Sequence, residues 1–193
     1  MPTLAEVERD ALACTRCPLH QRRTNVVFGV GDPNADLMFV GEGPGQQEDI
    51  EGLPFVGRSG QLLDRLMLEE MGLTRAYCYI CNVVKCRPPN NRDPLPDEIA
   101  ACHPYLAAQL DLIDPKVIVT LGNFATKLLL NSTEGITRLR GRAYPRPDGR
   151  TLVPTFHPAA ALRGGGETVA QMRADMVRAK QLLDGRRPSP LPA

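Results

Sequence analysis

Two short runs, DLMFVGE at 36–42 and KVIVTLG at 116–122, are apolar almost without interruption and stop at or beside a glycine. A strand with one wet face alternates apolar and polar residues, so an unbroken run of this length reads as a strand buried on both faces. Strands of that kind need helices above and below them. The rest of the chain supplies these: TLAEVERDALA opens on a capping box, Thr3 with Glu6, and SGQLLDRLMLEEMG (59–72) has Ser59 as expected N-cap and Gly72 as stop. PDEIAACHPYLAAQLDLI (96–113) is amphipathic, a helix is expected from Asn123, and a last one from about Glu167 to Leu183. YCYICNVV (77–84) and TLVPTF (151–156) complete four strands. Alternating β and α units predict an α/β fold, a three-layer α/β/α arrangement around a central, mostly parallel four-stranded sheet.

The 193 residues, 42% of them apolar, are enough for one core, and nothing in the middle reads as a linker. One domain over 1–185 is expected, with a flexible tail at 186–193. No run reaches the ~18 apolar residues of a membrane span, and MPTLAEVERD is charged where a secretory signal is apolar, so a cytosolic monomer without membrane contact is expected. Six cysteines in that compartment point to metal or reactive thiols rather than to disulfides. The net charge of +1 is uneven: residues 1–70 sum to −6 and residues 71–193 to +7. The densest basic stretch is RLRGRAYPRPDGR (138–150), either an ordinary solvated turn or a surface for a polyanion.

Which cysteines bind a metal follows in part from strand parity. Cys78 and Cys81 have C-x-x-C spacing, but in an extended segment residues three apart face opposite sides of the sheet, so both read as packing residues. Cys14 and Cys17 fall where the first helix gives way to Pro18. Cys86 sits just past a strand beside Pro88 and Pro89, and Cys102 lies on the next helix. These four suit a tetrahedral zinc or a 4Fe-4S cluster. The single C-x-x-C favours iron–sulfur without deciding it.

Ligands of parallel α/β sheets sit at the carboxyl ends of the strands. There the chain places GEGPGQQED, Asn82, Gly122 with Asn123, and FHP. The glycines allow close approach of backbone, but the pattern is neither a dinucleotide fingerprint nor a P-loop. Asn82, an aromatic ring at Phe55, His157 and carboxylates together suit a small planar polar ligand such as a nucleobase.

GEGPGQQED, GLPFVGRSGQLLD, NVVKCRPPNNRDPLPDE and FHPAAALR, with CTRC ahead of them, closely resemble the family 4 uracil-DNA glycosylases, the iron–sulfur branch of their superfamily, in order from Cys14 to Arg163. The resemblance implies a 4Fe-4S cluster on Cys14, Cys17, Cys86 and Cys102, and hydrolysis of the N-glycosidic bond of a uracil flipped out of double- or single-stranded DNA, the first step of base excision repair. It further implies Glu42 and His157 as catalytic residues, with Gly43, Glu48, Phe55 and Asn82 around the base and Glu48 as the wall against thymine. Leu162 and Arg163, in a loop after His157, would wedge the DNA. A non-catalytic, metal-stabilised nucleic-acid-binding module is the alternative reading, and it leaves Glu42, Asn82 and His157 without a task.

Overall fold

A computed structural model describes residues 2–185; the tail expected at 186–193 lies outside the described residues. The chain runs α1 (Leu4–Leu12), β1 (Val30–Gly31), β2 (Leu37–Gly41), α2 (Gln46–Glu51), α3 (Arg58–Leu66), β3 (Tyr79–Asn82), α4 (Pro96–Ile113), β4 (Val117–Leu121), α5 (Asn123–Leu130), α6 (Ile136–Leu139), β5 (Tyr144–Pro145), β6 (Thr151–Thr155), α7 (Pro158–Gly164) and α8 (Gly166–Leu183). The sheet order is β1-β3-β2-β4-β6-β5. Its four inner strands are parallel, and the two-residue outer strands β1 and β5 are antiparallel to their neighbours. The expected four-stranded sheet is therefore the parallel centre of a six-stranded one. The outer pairs escape sequence patterning because two residues cannot show a period.

Parity along the strands divides the core into two. Met38, Val40, Cys81 and Ile118 pack with α1, α4 and α5 on one face. Leu37, Phe39, Ile80, Val119 and Val153 pack with α3 and α8 on the other. Every residue of β2, β3 and β4 is buried, as strands covered on both faces must be. Cys78 belongs to the second core and Cys81 to the first, so the parity expectation holds although β3 is shorter than expected and Cys78 lies just outside it.

Other boundaries moved for local reasons. The third helix begins one residue before Ser59, with Gly57 as its N-cap, and ends in a single π-turn, Met67–Met71, stopped by Gly72 at φ 64°. The capping box of α1 forms as read: the Glu6 amide donates to Thr3 Oγ1 at 3.3 Å, and the Thr3 amide donates to the Glu6 carboxylate at 2.7 Å. No helix of the described residues is long and apolar enough to cross a membrane.

The basic stretch 138–150 is largely engaged with its own chain. Arg140 donates twice to buried Asp175, at 2.8 and 2.9 Å, and Thr155 Oγ1 donates to the same carboxylate at 2.7 Å, which fixes the end of β6 against α8. Arg146 pairs with Asp148, and Arg150 with Asp148, Asp111 and Asp114. Arg146 and Arg150 flank the start of β6, at the edge of the sheet opposite its carboxyl ends. Neither of them lines the cleft that opens at those ends, and only Arg138 and Arg142 of the five arginines are exposed.

Candidate active site

The carboxyl ends of the four parallel strands open into a cleft of about 690 Å³. Glu42 and Gly43 follow β2, Asn82 ends β3, Gly122 and Asn123 follow β4, and His157 follows β6; all of them line it, as do Glu48, Phe55 and Arg163. Backbone bonds extend the ladder past the strands and fix these loops to one another. The Val84 amide donates to the Glu42 carbonyl at 3.1 Å, and the Gly122 amide to the Thr155 carbonyl at 2.9 Å.

Asn82 is 1% exposed, and its Oδ1 has no hydrogen-bond partner. Leaving a buried carbonyl unmade costs ~1–3 kcal/mol, a cost that a ligand N–H would recover. Phe55 lies close by. A Cβ placed on Gly41 would stand 2.4 Å from Asn82 Oδ1 and 2.5 Å from the Phe55 ring, so only glycine there leaves both side chains room. The Phe55 backbone is held at φ 54°, a conformation that costs a non-glycine residue energy. Two contacts hold it in place. Arg75 donates to the carbonyls of Pro54 and Phe55, and the Phe55 carbonyl passes so near Gly60 that a Cβ there would overlap it.

His157 caps α7: the Ala159 amide donates to its Nδ1 at 3.1 Å. Nδ1 must therefore carry a lone pair, and a neutral ring then bears its proton on Nε2. Burial, helped by the Arg163 charge, pushes the imidazole down to about 4, so at neutral pH the ring is an uncharged Nε2–H donor. The Phe55 ring stands 5.8 Å from it, tilted by 33°. Glu42 moves the other way: burial first, and then the Asp93 carboxylate, raise its pKa to about 7.

Glu48 is held more firmly than a surface glutamate on a six-residue helix would be. Its carboxylate accepts from the amides of Gly45 (3.1 Å), Val56 (3.0 Å) and Gly57 (2.9 Å), joining the loop after β2 to the Phe55 loop. Leu162 and Arg163 lie on α7 rather than in a loop, since Pro158 at the first helical position and the His157 cap start a helix at once. Leu162 is 44% exposed, Arg163 borders the cleft, and Ala161 is buried in the core beneath them. Sequence reasoning passed over Asp93 and Arg75. Each acts only through a neighbour that folding brings to it.

Cys14, Cys17, Cys86 and Cys102 line one cavity at the side of the protein, between the end of α1 and the start of α4. No three His, Cys, Asp or Glu side chains among the described residues are grouped as one metal ion needs. Main-chain and guanidinium donors already face the sulfurs: the Lys85 amide is 3.3 Å from Cys102 Sγ, and Arg23 Nη1 is 3.4 Å from Cys86 Sγ. Burial raises the thiols of Cys17 and Cys86, and that of Cys102 to about 11.

Residues 28–180 match the family described as the uracil DNA glycosylase superfamily. The chain belongs to that superfamily. Within it, the chain is 49% identical over 169 residues to a type-4 uracil-DNA glycosylase of Sulfurisphaera tokodaii, covering 84% of this chain and 77% of that protein. It is 48% identical over 172 residues to a type-4 enzyme of Thermotoga maritima, covering 88% and 89%. A type-5 uracil-DNA glycosylase of Thermus thermophilus is 29% identical over 178 residues, so the type-4 likeness is the stronger. All the superfamily residues named above except Cys14 and Cys17 fall within the matched span.

The environment of Glu42 has a direct test. A carboxyl-carbon NMR titration should give this side chain a pKa of about 7. In Asp93→Asn the value should fall yet stay above the ordinary range, because burial is the larger cause; a value near 4.5 in the parent protein would contradict the assignment.

Proposed function

We propose that this protein is a uracil-DNA glycosylase of base excision repair, which takes a uracil nucleotide flipped out of DNA into the cleft and hydrolyses its N-glycosidic bond, leaving an abasic site. The observation that carries the reading is the unpartnered Oδ1 of Asn82 in the same cleft as a neutral histidine donor, with the Phe55 ring near both. Uracil presents N3–H as a donor beside O4 as an acceptor. The Asn82 amide meets both, accepting through Oδ1 and donating through Nδ2. Cytosine reverses the pattern and would leave two buried groups unpaired, at ~1–3 kcal/mol each.

Thymine differs from uracil by a methyl group at C5, so its rejection is steric. Glu48 suits a wall because three backbone amides prevent its carboxylate from swinging aside. Phe55 stacks on the base, and Gly43 borders it at a position with no room for a side chain, since a Cβ there would meet Val84 at 2.7 Å. Leu162 fills the gap left in the duplex while Arg163 faces a phosphate.

In the reaction, water adds to the sugar C1′ and the C1′–N1 bond breaks with its electron pair going to uracil. Charge gathers on O2, where the His157 Nε2–H donates to it. A neutral donor there is matched to an anion that exists only as the bond breaks, and the ring gives up no proton. Glu42, with a pKa of about 7, takes the proton of the attacking water; when ionised it also faces the cationic sugar.

Cys14, Cys17, Cys86 and Cys102 suit a 4Fe-4S cluster better than zinc. They share a cavity without gathering to one point, and a four-iron cluster holds its thiolates at separate corners whereas one ion draws them together. These residues would hold the cluster, which would tie the N-terminal segment at Cys14 and Cys17 to Cys86 and to Cys102 on α4. We further infer one domain over 1–185, acting as a cytosolic monomer on single- or double-stranded uracil-containing DNA.

Single-turnover cleavage of a single-uracil oligonucleotide, with binding measured separately, tests the assignment. His157→Ala should lower the chemical rate by about 100-fold with little change in DNA affinity, since the lost donor acts on charge absent from the ground state. Asn82→Asp should lose uracil and gain tolerance of cytosine. Cleavage by His157→Ala at the parent rate would make that histidine a packing residue. The cysteines separate by colour and iron content: Cys14→Ala and Cys102→Ala should lose both, and Cys78→Ala and Cys81→Ser should keep both. The reverse pattern would overturn the ligand set.

A further inference from the structure

Lys85 is among the largest fully buried side chains of the protein, at 1% exposure, and no carboxylate pairs with it among the described residues. Its Nζ donates to the Asn82 carbonyl at 2.7 Å and to Gln109 Oε1 at 2.5 Å, and lies 5.8 Å from the centre of the Phe28 ring. Gln109 is itself fixed, donating to the Phe28 carbonyl at 2.9 Å and to the Tyr79 hydroxyl at 3.2 Å. At its other end, Lys85 donates its amide to Cys102 Sγ at 3.3 Å, and its carbonyl accepts from the Val27 amide at 2.7 Å.

Packing alone does not explain a lysine here. Burying an ammonium without a counter-charge is costly, and methionine of similar length would fill the same space at less cost. What the lysine does that methionine cannot is hold the last residue of β3 from behind. Past Asn82 the chain leaves the strand, so the peptide that carries the recognition amide has lost the regular ladder on its far side. Lys85, three residues on, turns back and binds that peptide's carbonyl. The same residue borders the cysteine cavity. Thiolates bound to a cluster make that site net negative, the charge a buried ammonium requires nearby.

We propose that Lys85 is a positioning residue for base recognition: its ammonium fixes the Asn82 carbonyl from behind the pocket, while its amide anchors the same segment to the cysteine site. The proposal rests on the reading of Asn82 as the residue that recognises uracil. It makes the cysteine site a support for the pocket through one residue, and it gives the Tyr79–Gln109–Lys85 hydrogen-bond network a purpose beyond packing.

The test uses inhibition by free uracil, which reports the pocket without the chemistry, together with iron content and visible absorbance. Lys85→Met should keep its iron and colour while uracil inhibits about tenfold more weakly, the loss of one hydrogen bond from a charged donor. Gln109→Met, which touches nothing in the cleft, should weaken inhibition about threefold by freeing the lysine head. Asn82→Ala is the reference. If uracil inhibits Lys85→Met at parent strength while Asn82→Ala loses inhibition, the proposal falls and the reading of Asn82 survives. Parent-strength inhibition of Asn82→Ala sinks that reading itself. Should Lys85→Met not fold, Gln109→Met decides alone, and parent-strength inhibition there overturns the proposal.

Discussion

Parallel pairing of β3, β2, β4 and β6 is the constraint on which the site depends. Parallel strands put all their carboxyl ends on one edge, and the register places Gly41 beside Asn82 and Leu121 beside Thr155. Residues distant in sequence therefore enter the cleft at fixed spacing, set by main-chain hydrogen bonds rather than by side-chain contacts. Because both faces of the sheet are covered by helices, this edge is where a polar atom such as Asn82 Oδ1 can be held dry yet remain open to a ligand.

Close approach and electrostatics then follow from the same edge. Gly41 leaves room for Asn82 and Phe55, and Gly122, at φ 92°, would bring a Cβ within 3.0 Å of the His157 Cβ. Dry surroundings act oppositely on the two titratable groups: the imidazole is kept uncharged far below neutrality, and the Glu42 carboxyl is brought to the midpoint of its titration near it. One environment thus leaves the imidazole an uncharged N–H donor at neutral pH and the Glu42 carboxyl partly ionised there, the two states that the proposed roles require.

Much of this was legible in the sequence because the signals are local. The apolar runs gave β2 and β4, α4 spans the residues read as amphipathic, and parity alone sorted Cys78 and Cys81 onto opposite faces. The motifs GEGPG, PFVG and FHP gave most of the cleft. What stayed hidden depends on contacts made only after folding. Ser59 looks like a cap, but the turn at Gly57 starts the helix earlier. The arginines at 140 and 150 read as turn or basic surface alike until Asp175, and Asp111 with Asp114, distant in sequence, are brought beside them. Lys85 reads as one more charge in a loop, because nothing in VVKC announces that its side chain turns inward to Asn82 and Gln109.

In the proposed reading, the orphaned Oδ1 of Asn82 waits for the N3–H of uracil. Inhibition by free uracil and by 3-methyluracil, compared on the parent protein, addresses it with one atom changed in the ligand. Uracil should inhibit, and 3-methyluracil, which lacks the donor and carries a methyl group where the oxygen sits, should fail to inhibit. Equal inhibition by the two bases would contradict it.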